Sequence, residues 1–201
     1  MTGEATVRVF LAVPPDPNWA ESVRDLVSRL RASLPSASWT RPSSWHLTLK
    51  FLGEVPQETL GACLVAFASR ASERAPGELA ASGPLILPPR GPARVLGVAF
   101  AETPGLEEIR RLAADAESAA RTAGAQREDR PFRPHVTLAR ARQPWTRGDV
   151  ASYEREVGAW KFPTWPVRGC ALYSSRLSPE GAVHTPMSQW TFDRVLREAR
   201  A

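Results

Sequence analysis

His46-Leu47-Thr48-Leu49 and His135-Val136-Thr137-Leu138 are two copies of one tetrapeptide pattern, set 89 residues apart in a chain of 201. They account for two of the three histidines. With 12 threonines and 19 leucines in the chain, the odds of both residues following two of three histidines by chance are roughly one in ten thousand, so a duplicated half-site is the better reading. His-x-Thr inside an apolar run reads as a strand, where residues i and i+2 project from one face about 6 to 7 Å apart. Each copy therefore offers an imidazole beside a hydroxyl. Two such strands side by side about a pseudo-twofold axis make a pocket of two imidazoles and two hydroxyls.

Imidazole has an ordinary pKa near 6.5, so one copy can accept a proton while the other gives one. In-line displacement at a phosphodiester needs a base on the entering oxygen and an acid on the leaving oxygen, each worth roughly 10²–10⁴-fold. The Thr48 and Thr137 hydroxyls are placed to hold the phosphoryl oxygens. The similar strand contexts leave the two histidine roles interchangeable. A lone histidine is more often a satisfied core residue, and a lone strand threonine reflects β-propensity; the duplication is what outweighs both readings.

These residues resemble the two HxTx motifs of the 2H phosphoesterase superfamily, and within it the RNA 2',3'-cyclic phosphodiesterases, historically called 2'-5' RNA ligases. The resemblance covers most of the chain: Val7–Val13 as an opening strand, Trp45–Val55 and Arg130–Leu138 as the motif blocks, and Arg94–Val98 as the strand before the last long helix. It implies an α+β fold, one domain over 1–201 made of two lobes with one motif each. The lobes form a bilobed, pseudo-twofold arrangement of two antiparallel sheets with outer helices and an active-site cleft between them. The implied activity is hydrolysis of RNA 2',3'-cyclic phosphate ends to 2'-phosphates, with His46 as proton donor and His135 as proton acceptor. ATP-independent 2'-5' ligation would use the same residues, and a non-catalytic nucleotide or RNA-binding module is the rival from another class. The expected partners are RNA with cyclic phosphate ends or small cyclic nucleotides, and the expected state is a monomer.

Net charge is +5, and 24 of the 26 basic residues are arginine, whose planar fork suits phosphate. Between residues 127 and 147 six arginines face only Glu128 and Asp129, concentrating positive potential around His135. Arg130 and Arg133, in a segment stiffened by Pro131 and Pro134, are the phosphate-binding candidates. Arg140, Arg142 and Arg147 read either as further anion contacts or as a solvated charge run. Strand alternation places Trp45 in the core, away from the His46 face. His184 lacks the two-residue spacing and reads as a surface or strand-edge residue.

Cys63 and Cys170 lie in apolar runs and read as core thiols of a reducing compartment. No zinc-like spacing, HExxH or acidic calcium loop occurs, so no metal or other cofactor is expected. Without an apolar run of membrane length or a leader pattern, the expected location is the cytoplasm.

The apolar spacing predicts a strand at 6–13, a helix at 18–34, a motif strand at 46–52 ended by Gly53, and a helix from Pro56. Strands at 78–87 and 94–101 follow around a proline-rich loop, then a helix from Pro104 to about Ala123. The second motif strand is expected at 134–140, a short helix at 146–157, a strand pair at 167–174 and 183–192 joined through 178–181, and a tail helix at 193–201.

Overall fold

Two strands carry the motifs, and each has its own set of neighbours. The computed structural model describes residues 6–34, 37–74, 77–122, 124–141, 143–178 and 181–192. The first half runs β1 (Thr6–Val13), α1 (Pro17–Ser33), β2 (Ser38–Trp39), a 3-10 turn (Pro42–Ser44), β3 (Leu47–Pro56), α2 (Gln57–Ala71), β4 (Gly77–Leu79), β5 (Ala81–Leu87) and β6 (Val95–Phe100). The second runs α3 (Pro104–Thr122), β7 (His135–Arg140), α4 (Arg147–Ala159), β8 (Trp165–Val167), β9 (Gly169–Ser178) and β10 (Gly181–Thr191). The tail at 193–201 and the turn residues 179–180 lie outside the described residues.

All pairings are antiparallel, in the order β10-β9-β1-β3-β7-β6-β5, with β2 alongside β7 and a separate β4-β8 pair. The sequence reading expected two antiparallel sheets; the structure has instead one eight-stranded sheet, with halves β10-β9-β1-β3 and β7-β6-β5, and the small β4-β8 sheet beside it. The halves are joined by one bridge, Leu47 opposite Val136. Beyond it, β7 turns to β2, with Trp39 opposite Ala139 and the Thr40 amide donating to the Leu138 carbonyl at 2.8 Å. The duplicated motifs meet at this seam.

Local sequence explains the helices behind the sheet. The Asp16 carboxylate accepts from the Asn18 and Trp19 amides at 2.9 and 3.4 Å, Pro17 opens α1, and the buried Trp19, Val23, Leu26, Val27 and Leu30 follow one helical face. α3 buries Leu106, Ile109, Leu112, Ala113 and Ala116, and Gly124, with φ +76°, ends its turn. α4 starts on a capping box between Thr146 and Asp149. Its Tyr153 hydroxyl donates to the Gly97 carbonyl at 2.6 Å, tying it to β6. Cys63 and Cys170 are free thiols in the core, both pushed up in pKa by burial, Cys170 to about 12.

The structure corrects several boundaries. Gly53 does not end the motif strand: with φ +78° it sits at a register shift, where Val9 pairs Gly53 and Phe10 pairs Phe51, and β3 runs on to Pro56. The strand expected over 78–87 is two strands in different sheets, because Leu79 pairs with Trp165 of β8 while Ala81 pairs with Phe100 of β6. The three-residue β8 and two-residue β2 are too short to show a period of two.

Candidate active site

Each motif threonine is followed by a bulge. Across β1 and β3, Ala12 pairs Thr48 and Leu11 pairs Lys50, leaving Leu49 extra. Across β6 and β7, Gly97 pairs Thr137 and Leu96 pairs Ala139, leaving Leu138 extra. In each case two successive residues turn inward, so the third residue after the threonine returns to the threonine's face. That residue is Phe51 in one copy and Arg140 in the other. Gly97 is required at the second bulge, since a Cβ there would lie 2.5 Å from the Val136 carbonyl oxygen.

The seam fixes how the four motif groups face one another. With Leu47 opposite Val136 and both fully buried, antiparallel pairing sets His46 across from Thr137 and Thr48 across from His135, all four on the other face. Cross-strand neighbours of this kind have Cβ atoms about 5 Å apart. The product is a square of alternating imidazoles and hydroxyls, each half-buried. No hydrogen bond among the described residues occupies either threonine hydroxyl.

Both imidazoles are oriented the same way. The His46 Nδ1–H donates to the Ser44 carbonyl at 2.8 Å, and the His135 Nδ1–H donates to the Arg133 carbonyl at 2.7 Å, each two residues upstream. A carbonyl can only accept, so the proton sits on Nδ1, and Nε2 is the nitrogen that can take up or release a proton. The 3-10 turn before His46 and Pro134 before His135 hold the accepting carbonyls in place. Arg133 therefore serves the site through its backbone.

Burial lowers the proton affinity of both histidines. For His46 it brings the pKa to about 4, opposed by the Ser44 carbonyl and reinforced by the positive charge of His184, His135 and Arg140. For His135 it also lowers the pKa, opposed by the Arg133 carbonyl and reinforced by Arg140. Arg140, exposed on the motif face, is thus the guanidinium that acts on both histidines, while Arg142 is outside the described residues.

The remaining candidates make other contacts. The Arg130 guanidinium forks onto Glu128, with Nε to Oε1 at 2.8 Å and Nη2 to Oε2 at 3.0 Å, and its side chain is 86% exposed. These contacts hold the Glu128 carboxyl down at about 2. The Arg133 side chain is exposed. Trp45 is 3% exposed and belongs to the core, as strand alternation requires. Lys50, 6% exposed, reaches Glu117 of α3 at 2.7 Å and donates to the Gln126 carbonyl at 2.9 Å, so the residue after the first motif anchors the segment leading to the second.

His184 is on β10, the edge strand, as its sequence context suggested. Its ring nevertheless packs against His46 and against the buried Phe10, which sequence spacing could not reveal across 138 residues. Phe51, 54% exposed, extends the aromatic row from Phe10 with ring centroids 5.6 Å apart. A cavity of about 500 Å³ between β4 and the start of α3 contains none of these residues. Among the described residues no helix is long and apolar enough to cross a membrane, and no three His, Cys, Asp or Glu side chains gather as a metal site.

The family described as LigT-like phosphoesterase matches twice, over residues 13–96 and 101–184, so each match takes in one His-x-Thr copy. The RNA 2',3'-cyclic phosphodiesterase of Thermus thermophilus is 36% identical over 160 residues, covering 75% of this chain and 73% of that protein. The protein of the same name from Geobacillus stearothermophilus is 32% identical over 131 residues, 65% of this chain and 41% of that one, so this chain spans under half of it. The crystal structure of TT0787 from Thermus thermophilus superimposes with a TM-score of 0.73 at 31% identity, covering 92% of this chain and 97% of the other. A duplicated profile match, the same fold and a seam where two His-x-Thr strands meet agree on one conclusion: the chain belongs to the LigT-like phosphoesterases of the 2H superfamily.

Proposed function

We propose that the chain hydrolyses RNA 2',3'-cyclic phosphate ends to 2'-phosphomonoesters without a metal ion. The observation that carries this reading is the square of His46, Thr137, His135 and Thr48 on one face of the seam. The names of the relatives supply the substrate class. The phosphate lies between Thr48 and Thr137, which donate to its non-bridging oxygens. His135 Nε2 takes a proton from water as the water oxygen bonds to phosphorus. The bond from phosphorus to the 3'-oxygen breaks, and His46 Nε2 gives that oxygen its proton. Product leaves with a 3'-hydroxyl and a 2'-phosphate, and solvent exchange restores the two imidazoles.

Arg140 supports the phosphate from the same face and is the best placed of the described arginines. Arg133 and Arg130 are the outer arm of the proposal, with Arg130 exchanging Glu128 for the substrate. All four central groups come from one chain, so the proposed working unit is a monomer.

The test is product analysis with an RNA oligonucleotide ending in a 2',3'-cyclic phosphate, incubated in EDTA with wild type, His46→Ala and His135→Ala. The expected result is a 2'-phosphate from wild type and a loss of at least about 100-fold in each variant. An oligonucleotide bound equally by all three proteins and left unchanged would make the chain a binding module instead. Joining to an added 5'-hydroxyl strand in preference to hydrolysis would make it a ligase.

A further inference from the structure

The two half-sites repeat the same carbonyl, imidazole and hydroxyl, but only one is touched by a third histidine. Counting outward from the seam, β3, β1 and β9 correspond to β7, β6 and β5, and β10 has no counterpart in the described sheet. From β10, His184 meets His46 edge-on, with ring centroids 5.2 Å apart and planes at 89°. It meets Phe10 at 4.8 Å and 78°, and Phe10 closes the triangle at 4.7 Å from His46. Phe10 is almost fully buried, so this triangle has a fixed base.

The same strand also reaches the backbone that orients His46. The Ser44 hydroxyl donates to the Ala182 carbonyl at 3.4 Å, and the Ser44 carbonyl is the acceptor for His46 Nδ1–H. The Nδ1 of His184 is buried without a hydrogen-bond partner. Ring contacts rather than hydrogen bonds therefore hold that nitrogen's side of the ring.

We propose that His184 is a positioning residue for His46: it holds the ring edge-on and places a second titratable imidazole against it, so that β10 makes two repeated half-sites chemically unequal. The groups bearing on His46 are His184 from β10, His135 and Arg140 from β7, the Phe10 ring from β1 and the Ser44 carbonyl. Those bearing on His184 are His46 and, from β1, Arg8. When His184 carries a proton, its charge resists protonation of His46. His135 has no such neighbour among the described residues, and Arg140 bears on both copies alike.

The inference rests on His46 being a proton-transfer residue, but its test reads protonation without turnover. With three histidines in the chain, the Hε1 resonances of wild type, His184→Phe and His184→Gln can be followed through a pH titration. Two like charges at this separation predict that the His46 midpoint rises by about 0.5 to 2 pH units in both variants, while that of His135 stays within about 0.2. His184→Phe, which keeps a ring on Phe10 and His46, is expected to retain kcat within about threefold at neutral pH, and His184→Ala to lose roughly tenfold or more with KM little changed. A His46 midpoint identical in wild type, His184→Phe and His184→Gln would overturn the proposal. So would a His135 midpoint that moves as far as that of His46, because the effect would then be general to the fold.

Discussion

The acid of the proposed reaction is empty-handed before substrate arrives. With its pKa held at about 4, His46 carries a proton in about one molecule in a thousand at pH 7. Bringing that pKa to 7 takes about 4 kcal/mol. A phosphate monoanion about 4 Å from the imidazolium supplies about 4 kcal/mol at an effective dielectric constant near 20. On the proposed mechanism the substrate's own charge therefore loads the acid, and binding is expected to take up a proton. His135→Ala is expected to stop turnover, and a 2',3'-cyclic nucleotide stays a monoanion across neutral pH, so the two together isolate the step. Calorimetric titration in buffers of different ionisation enthalpy reads the protons taken up. About half a proton per site is expected at pH 7 and about 0.9 at pH 6, falling to zero in the His46→Ala/His135→Ala double variant. An enthalpy independent of buffer at both pH values, or equal uptake in the double variant, would refute the reasoning.

Thr48→Val and Thr137→Val each remove a hydroxyl proposed to donate to a charged oxygen, a bond worth about 1.5–3 kcal/mol; steady-state assays should show kcat/KM falling roughly 10- to 150-fold with the thermal midpoint nearly unchanged. Lys50→Met leaves Glu117 and the Gln126 carbonyl without their buried cation, and urea unfolding should show a loss of about 2–4 kcal/mol, Glu117 being partly hydrated. The lowered histidine pKa values make the unfolded chain bind more protons below its own pKa near 6.5. Stability is therefore full above pH 6.5 and falls toward pH 4, by up to about 3 kcal/mol from His46 alone. Denaturation from pH 7 to 4.5 should show this slope, and His46→Ala should flatten it.

Much of the layout was legible because it follows from spacing along the chain. The period of two around Thr48 and Thr137, the helical faces of α1 and α3, and the stops at Gly124 and the proline loop are local signals, and they appear where the sequence puts them. The duplication even located the seam. What stayed hidden depends on long-range register. That β10 lies at the edge of the first half, bringing His184 to His46, is a pairing decision made by β9 and β10. The bulges that return Phe51 and Arg140 to the motif face each need one extra residue, and a strict alternation misassigns everything after it. Arg130 was legible only in part: its sequence neighbourhood points to phosphate, and the structure adds that its guanidinium forks onto Glu128, two residues away.

The single backbone bridge between β3 and β7 among the described residues makes the distance between the two motif imidazoles an adjustable dimension. A full ladder would clamp the two imidazoles at a fixed spacing. Here the Leu47 and Val136 side chains, fully buried beneath the joint, act as the shim that sets the gap. A methyl group added or removed there would widen or narrow the gap between the motif imidazoles without altering any atom of either ring. Reaction rate could then drift under selection through core volume alone, while every residue recognisable as catalytic stays the same.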